Sequence, residues 1–262
     1  MTGFISCKAF QKMNTHFSNQ VKTGIVAHRG AFKKNNLPQN SIASLREAIR
    51  LNCQGSEFDI RITADDSLVI IHDPVHDGIK IEESNFNELS SIKLSNGEAL
   101  PTLREYLQAG MHQNQTKLVM EIKPSSVNKQ RSLRAAEKSF QLVQQLGIEE
   151  NVIYISFDFD VIKKIIALNP RASVQYLNGD KSPDQLKADG INGVDYHYTV
   201  FRKNPTWIES AKQNKIVLNA WTVNNPDDMD WLLNQGFDFI TTDEPELLAD
   251  RIFLKKNDNN NR

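Results

Sequence analysis

The chain is poor in the features that mark membrane and nucleic-acid proteins. No stretch of its 262 residues approaches the ~20 apolar residues of a membrane-spanning helix. Lysine and arginine total 31 against 32 aspartate and glutamate, a net charge of -1. No electrostatic pull therefore favours nucleic acid or an anionic lipid surface. The two cysteines, Cys7 and Cys53, match no zinc or Cys-x-x-Cys spacing. Their number allows a disulfide but does not imply one. No Gly/Ser or Pro tract splits the sequence, so a single domain is expected. With 39% hydrophobic and 24% charged residues, the remainder is ordinary globular composition.

The opening MTGFISCKAFQKM lacks the apolar core of a signal peptide. Its Phe4-Ile5-Ser6-Cys7 is nonetheless similar to the end of a lipoprotein signal, in which the cysteine is lipidated. Two localisations follow: cytoplasmic as written, or an exported periplasmic lipoprotein if the true start lies upstream. Residues 1–23 are expected to form a leader and 254–262 a polar tail.

Between them, β-branched runs alternate with longer helical stretches. Strands are expected at 24–28, 56–62, 68–72, 117–122, 152–156, 173–176, 193–195, 216–222 and 237–241. Helices are expected at 41–51, 102–113, 128–146, 159–168, 182–188, 205–214, 226–235 and 244–253. Thr102 with Glu105 reads as a capping box, and Asn225-Pro226 as a cap followed by proline at the first helical position. Gly147 and Gly236 stand just past helix ends. This rhythm predicts an α/β fold, a (β/α)8 TIM-type barrel over 24–253. One insertion, about 73–101, follows the strand ending at His72. It is acidic, reads as poor in apolar residues, and is expected to pass over one end of the barrel.

In such a barrel the strand C-termini line the active face. Here they carry His28 and Arg29, then Glu57 and Asp59, then His72 and Asp73, then Glu121 and Lys123, then Asn219 and Trp221. Residues two apart on a strand share a face, so Glu57 and Asp59 point together. Paired carboxylates stay ionised beside a cation, and three hard oxygen donors with Glu121 suit Mg²⁺ or Ca²⁺. The pair alone equally fits ordinary pairing with Arg61 and lysines. Arg29 and Lys123 can meet a phosphate, although Glu-Ile-Lys alone also fits a surface ion pair. His28 and His72 can move protons at neutral pH. Trp221 offers a flat wall for a ligand or simply packs the barrel. Together these are parts for cleaving a phosphate ester.

The order of His28-Arg29-Gly30, PQNS at 38–41, GSEFDIRIT at 55–63, VIIHDP at 69–74, LPTLREYL at 100–107, MEIKP at 120–124, AWTVN at 220–224 and TTDEPELL at 241–248 resembles the glycerophosphodiester phosphodiesterase family. The resemblance covers about residues 24–253. It implies metal-dependent hydrolysis of a small glycerophosphodiester to an alcohol and glycerol 3-phosphate. It further implies His28 and His72 as the acid–base pair, and Glu57, Asp59 and Glu121 as ligands of one divalent cation. Arg29 and Lys123 would contact phosphate, and Trp221 the glycerol side. Gln39 departs from the family's PENT, where a glutamate stands; Asn40 and Ser41 still read as a helix start. Asp243 reads as a cap of the last helix, and His197 as a residue edging the pocket. The competing readings are cleavage of lipid diesters and a barrel that binds phosphodiesters without cleaving them.

Overall fold

A computed structural model describes residues 23–260, with side chains to Asn257. Cys7 and nearly all of the expected leader lie outside the described residues. The β-branched runs form strands: β1 (Gly24–Ala27), β2 (Gly55–Ile62), β3 (Leu68–Ile70), the short β4 (Val75–His76) and β5 (Ile79–Lys80), β6 (Lys117–Ile122), β7 (Val152–Ser156), β8 (Ser173–Tyr176), β9 (Gly193–His197), β10 (Val217–Trp221) and β11 (Phe239–Thr242). Between them run α1 (Ile42–Arg50), α2 (Phe86–Leu89), α3 (Leu103–Gly110), α4 (Lys129–Leu146), α5 (Phe159–Leu168), α6 (Pro183–Ala188), α7 (Tyr198–Lys203), α8 (Thr206–Asn214), α9 (Pro226–Gln235) and α10 (Pro245–Asn260).

Eight strands, β1, β2 and β6 to β11, pair in parallel. β1 pairs with β2 on one side and with β11 on the other, which closes the barrel. The period of two sorts every strand. Phe58, Ile60, Met120 and Ile122 turn outward into the large core beneath the helices. Val26, Val119, Ile153 and Ile155 turn inward and pack with Leu177. Glu57, Asp59 and Glu121 share that inward parity. The expected helix ends are present. Thr102 and Glu105 form a capping box, Asn225 caps α9 ahead of Pro226, and Gly147 and Gly236 end α4 and α9 in the left-handed region.

Three expectations change. The strand expected at 68–72 is not a barrel strand: β3 runs antiparallel to β2, with Ile60 opposite Ile70 and Ile62 opposite Leu68. Only the short turn Thr63–Ser67 separates the two, closed by Thr63 N donating to Ser67 O at 2.9 Å. A parallel partner would need a crossover of a dozen or more residues. β2 thus continues beyond the barrel and β3 brings the chain back down to its mouth.

The insertion at 73–101 is also less polar than its sequence suggests. Ile81, Leu89, Ile92 and Leu100 pack with Val69 and Ile71 as a small separate core. Its Glu82 is buried, where it meets Arg61 Nη1 at 3.5 Å and accepts from Ser126 N and the Ser125 hydroxyl. The insertion therefore packs beside the mouth against β2, β3 and the loop after β6. Finally, α10 extends through Asn260, so most of the stretch read as a tail is helical.

Candidate active site

Glu57, Asp59 and Glu121 converge at the mouth. One oxygen from each lies within 4.8 Å of the others, and all three residues are buried. The register explains this, because Asp59 stands directly opposite Glu121 across β2 and β6. Burial, then the charges of Asp59 and Glu121, raise the Glu57 carboxyl well above its usual range. Burial and Asp59 push Glu121 up to about 7. Asp59 goes the other way. Burial acts against its charge, but Lys123, the Asn40 hydrogen bond, His72 and Arg29 together hold it below its ordinary value.

Asn40 clamps Asp59 twice. Its amide donates to Asp59 Oδ2 at 2.8 Å and its carbonyl accepts from Asp59 N at 3.0 Å. Lys123 Nζ stands 2.7 Å from Glu121 Oε1 and 3.3 Å from Asp59 Oδ1. Glu57 Oε1 is buried with no hydrogen-bond partner. A buried orphan oxygen in an all-carboxylate cluster fits a hard divalent cation, which would satisfy it and offset the crowded charge.

The turn after β1 brings the next groups. Arg29 and Gly30 both take positive φ, 53° and 81°. A Cβ at Gly30 would lie 2.3 Å from Ser44 Oγ, so this turn requires glycine. The turn aims the Arg29 amide at Glu57 Oε2, 2.8 Å away, and brings its Nε to 3.5 Å from Asp59 Oδ2. Arg29 Nη1 also donates to Gln39 Oε1 at 2.7 Å. The residue that departs from the family pattern thus acts on the guanidinium.

His28 Nδ1 lies 2.7 Å from Asp243 Oδ1, and its Nε2 lies 3.9 Å from Glu57 Oε2. A carboxylate only accepts, so Nδ1 carries the proton and Nε2 is left for the pocket. Asp243 is itself fixed, its Oδ2 accepting from Asn224 Nδ2 at 2.7 Å and its amide donating to Asn224 Oδ1 at 2.9 Å. Burial acts against the Asp243 charge, but the hydrogen bond and charge of His28, the Asn224 hydrogen bond and Arg29 together outweigh it and lower the pKa. Its side chain serves His28 and Asn224.

His72 shows the same arrangement. Its Nδ1 lies 2.7 Å from Asp73 Oδ1, and its carbonyl accepts from Arg61 Nε at 2.8 Å. Ile71 N donates to Asp59 O at 3.0 Å, which hangs His72 at the level of the carboxylates. Partial burial lowers its pKa.

These groups face one cavity of about 270 Å³. Its charged half is His28, Arg29, Glu57, His72, Glu121 and Lys123. The other half carries Ile155, Phe157, Leu177 and Trp221, with Asp195, Thr222 and Thr241. Phe157 meets Trp221 edge-on at 5.4 Å, and Trp221 Nε1 donates to Asp195 O at 2.8 Å. Four expected site residues stay off the cavity lining, Asp59 and Asp73 behind the residues they pair with, and Asn219 and His197. Asn219 is buried below it between Gln175 and Thr241, and His197 caps α7 through Thr199 while packing on Trp221.

The chain matches the model of the glycerophosphoryl diester phosphodiesterase family over residues 28–247. It belongs to that family. Glycerophosphodiester phosphodiesterase from Caldanaerobacter subterraneus is 29% identical over 88% of this chain and 98% of its own length. A crystal structure of a glycerophosphodiester phosphodiesterase from Parabacteroides distasonis superposes with a TM-score of 0.88 at 39% identity, covering 91% of this chain and all of that one. A phosphodiesterase from Oleispira antarctica, solved with sn-glycerol-3-phosphate, shares the fold at 22% identity and a TM-score of 0.74, over 88% and 96% of the two chains. The chain is thus a phosphoric diester hydrolase of TIM-barrel type, and its acidic triad is a site that could hold a metal ion. Among the described residues no helix is long and apolar enough to cross a membrane.

Proposed function

We propose that this phosphodiesterase hydrolyses glycerophosphodiesters to an alcohol and glycerol 3-phosphate with His28 and His72 as its acid–base pair. The observation that carries the reading is a cluster of three buried carboxylates, two of which line one cavity together with two cations and two carboxylate-oriented imidazoles. Glu57, Asp59 and Glu121 would hold one Mg²⁺ or Ca²⁺. Such an ion supplies charge compensation for the phosphoryl oxygens and lowers the pKa of a bound hydroxyl. Arg29 and Lys123 take the phosphoryl oxygens as charge builds on them. One imidazole removes a proton from the attacking hydroxyl, whether of water or of the substrate's own glycerol. The other protonates the departing alcohol oxygen. Trp221 gives the glycerol a flat wall.

Purified protein with Mg²⁺ or Ca²⁺ should release glycerol 3-phosphate from glycerophosphocholine or a related diester, and chelation should stop it. His28→Ala and His72→Ala should each lower kcat by about 10²–10⁴-fold while substrate still binds. Binding without turnover in the unaltered protein would support the non-catalytic reading instead. A second substrate class, lipid diesters, is favoured by Phe157 and Leu177 beside Trp221. It predicts faster turnover of a lysophospholipid than of its deacylated headgroup diester.

A further inference from the structure

One group in the cavity has no part in the acid–base or phosphate chemistry. Asp195 lies on β9, only 1% exposed, yet belongs to the cavity lining. Its Oδ1 is buried without a hydrogen-bond partner. Burial, and the charge of Glu121, raise its pKa, which favours the protonated form, able both to donate and to accept. Leaving such a group unpaired in a folded interior is destabilising, which calls for a partner that arrives from outside. That partner is not the phosphate, because a carboxyl group offers no positive charge to a phosphoryl oxygen, whereas Arg29 and Lys123 of the same cavity do. Around Asp195 stand Trp221, whose indole donates to the Asp195 carbonyl, and Leu177. A hydrogen-bonding group at the foot of an apolar wall suits a short polyol: carbon on the wall, hydroxyl on the acid.

We propose that Asp195 anchors the terminal hydroxyl of the substrate's glycerol moiety and so selects glycerol over other three-carbon alcohols. The inference rests on the phosphodiesterase reading above. With phosphate on Arg29 and Lys123, the terminal hydroxyl is the far end of the glycerol chain. Asp195 is buried in the barrel and presents a fixed group, so it suits the glycerol, which is the same in every such diester. The alcohol, which varies among diesters, is left the rim, where His72 is exposed to solvent.

The test uses binding and turnover together. Calorimetry with the full chain and Ca²⁺ compares glycerol 3-phosphate with the analogue lacking the terminal hydroxyl, propane-1,2-diol 1-phosphate. The unaltered protein should bind glycerol 3-phosphate at least about tenfold more tightly, since the analogue leaves Asp195 unpaired. Asp195→Leu should abolish that preference by weakening glycerol 3-phosphate alone. Asp195→Asn, which keeps a donor and an acceptor of the same shape, should retain it within about threefold. In turnover of the matching phosphocholine diesters, Asp195→Leu should raise KM for the glycerol compound and leave the deoxy compound unchanged. Equal binding of the two ligands by the unaltered protein would overturn the proposal, as would an equal loss for both in Asp195→Leu with Asp195→Asn behaving alike. Because binding needs no chemistry, absent turnover with intact discrimination would count against the hydrolase and for the anchor. Normal turnover without discrimination would do the reverse.

Discussion

Asp243 is 215 residues from His28 in the chain and 2.7 Å from it in space. The pair shows what a single sequence reveals at the scale of residues. Glu57 and Asp59 were legible because the strand period puts them on one face, and Glu121 because it ends another strand in a family-like Glu-Ile-Lys, although only the register sets it opposite Asp59. Asn40 and Asp243 were not, because each sits in a loop whose path no periodicity specifies. Both looked like helix caps; one clamps Asp59 and the other orients an imidazole. A signal for Asp243 was present all the same, since it directly follows β11, the position that drew attention to His28. Asp243→Asn should lower kcat by about 10–100-fold with KM little changed, because a neutral partner no longer favours the imidazolium formed in proton transfer. Steady-state kinetics beside the unaltered protein measure this. A change confined to melting temperature would assign Asp243 to stability alone.

At the scale of elements, the β2–β3 hairpin and the insertion act as one bracket. Arg61 is buried on β2, donates to the His72 carbonyl and pairs with Glu82, which in turn accepts from the loop after β6. Burial lowers the Arg61 pKa, the direction expected of a desolvated cation. Removing Glu82 would strand that charge. Glu82→Ala should destabilise the bracket by about 3–5 kcal/mol. Hydrogen exchange should then rise across residues 73–101 ahead of the barrel strands, and kcat should fall as His72 loses its fixed carbonyl. Uniform exchange over the whole chain would contradict the idea of a separate bracket. The hairpin could have been inferred from the short Thr63–Ser67 turn, which admits no crossover. The insertion's core was harder to read: Ile81, Leu89, Ile92 and Leu100 are scattered among charges and converge only through β3.

At the scale of the whole molecule, the concentration of carboxylates links stability to pH and to metal. Glu121 binds its proton more tightly in the native state, at about 7 against an ordinary 4.5. Its contribution to the stability of the ion-free protein is therefore full below pH 4.5 and is lost as pH rises through about 7. A divalent cation held by the triad would have to displace that proton below this pH and would meet no such competition above it. The rise in melting temperature caused by saturating Ca²⁺ or Mg²⁺ should thus be larger at pH 8 than at pH 6. An equal rise at both would place the ion elsewhere.

The repeating strand–helix units and the closed barrel they build were readable at this scale from number and spacing, but the pairing at the seam was not. It joins β1 to β11 across nearly the whole chain. That seam has a consequence for synthesis. His28 leaves the ribosome 215 residues ahead of Asp243. A nascent polypeptide cannot steady its first imidazole until Asp243 has emerged, so hydrolysis would wait for the final strand of the barrel.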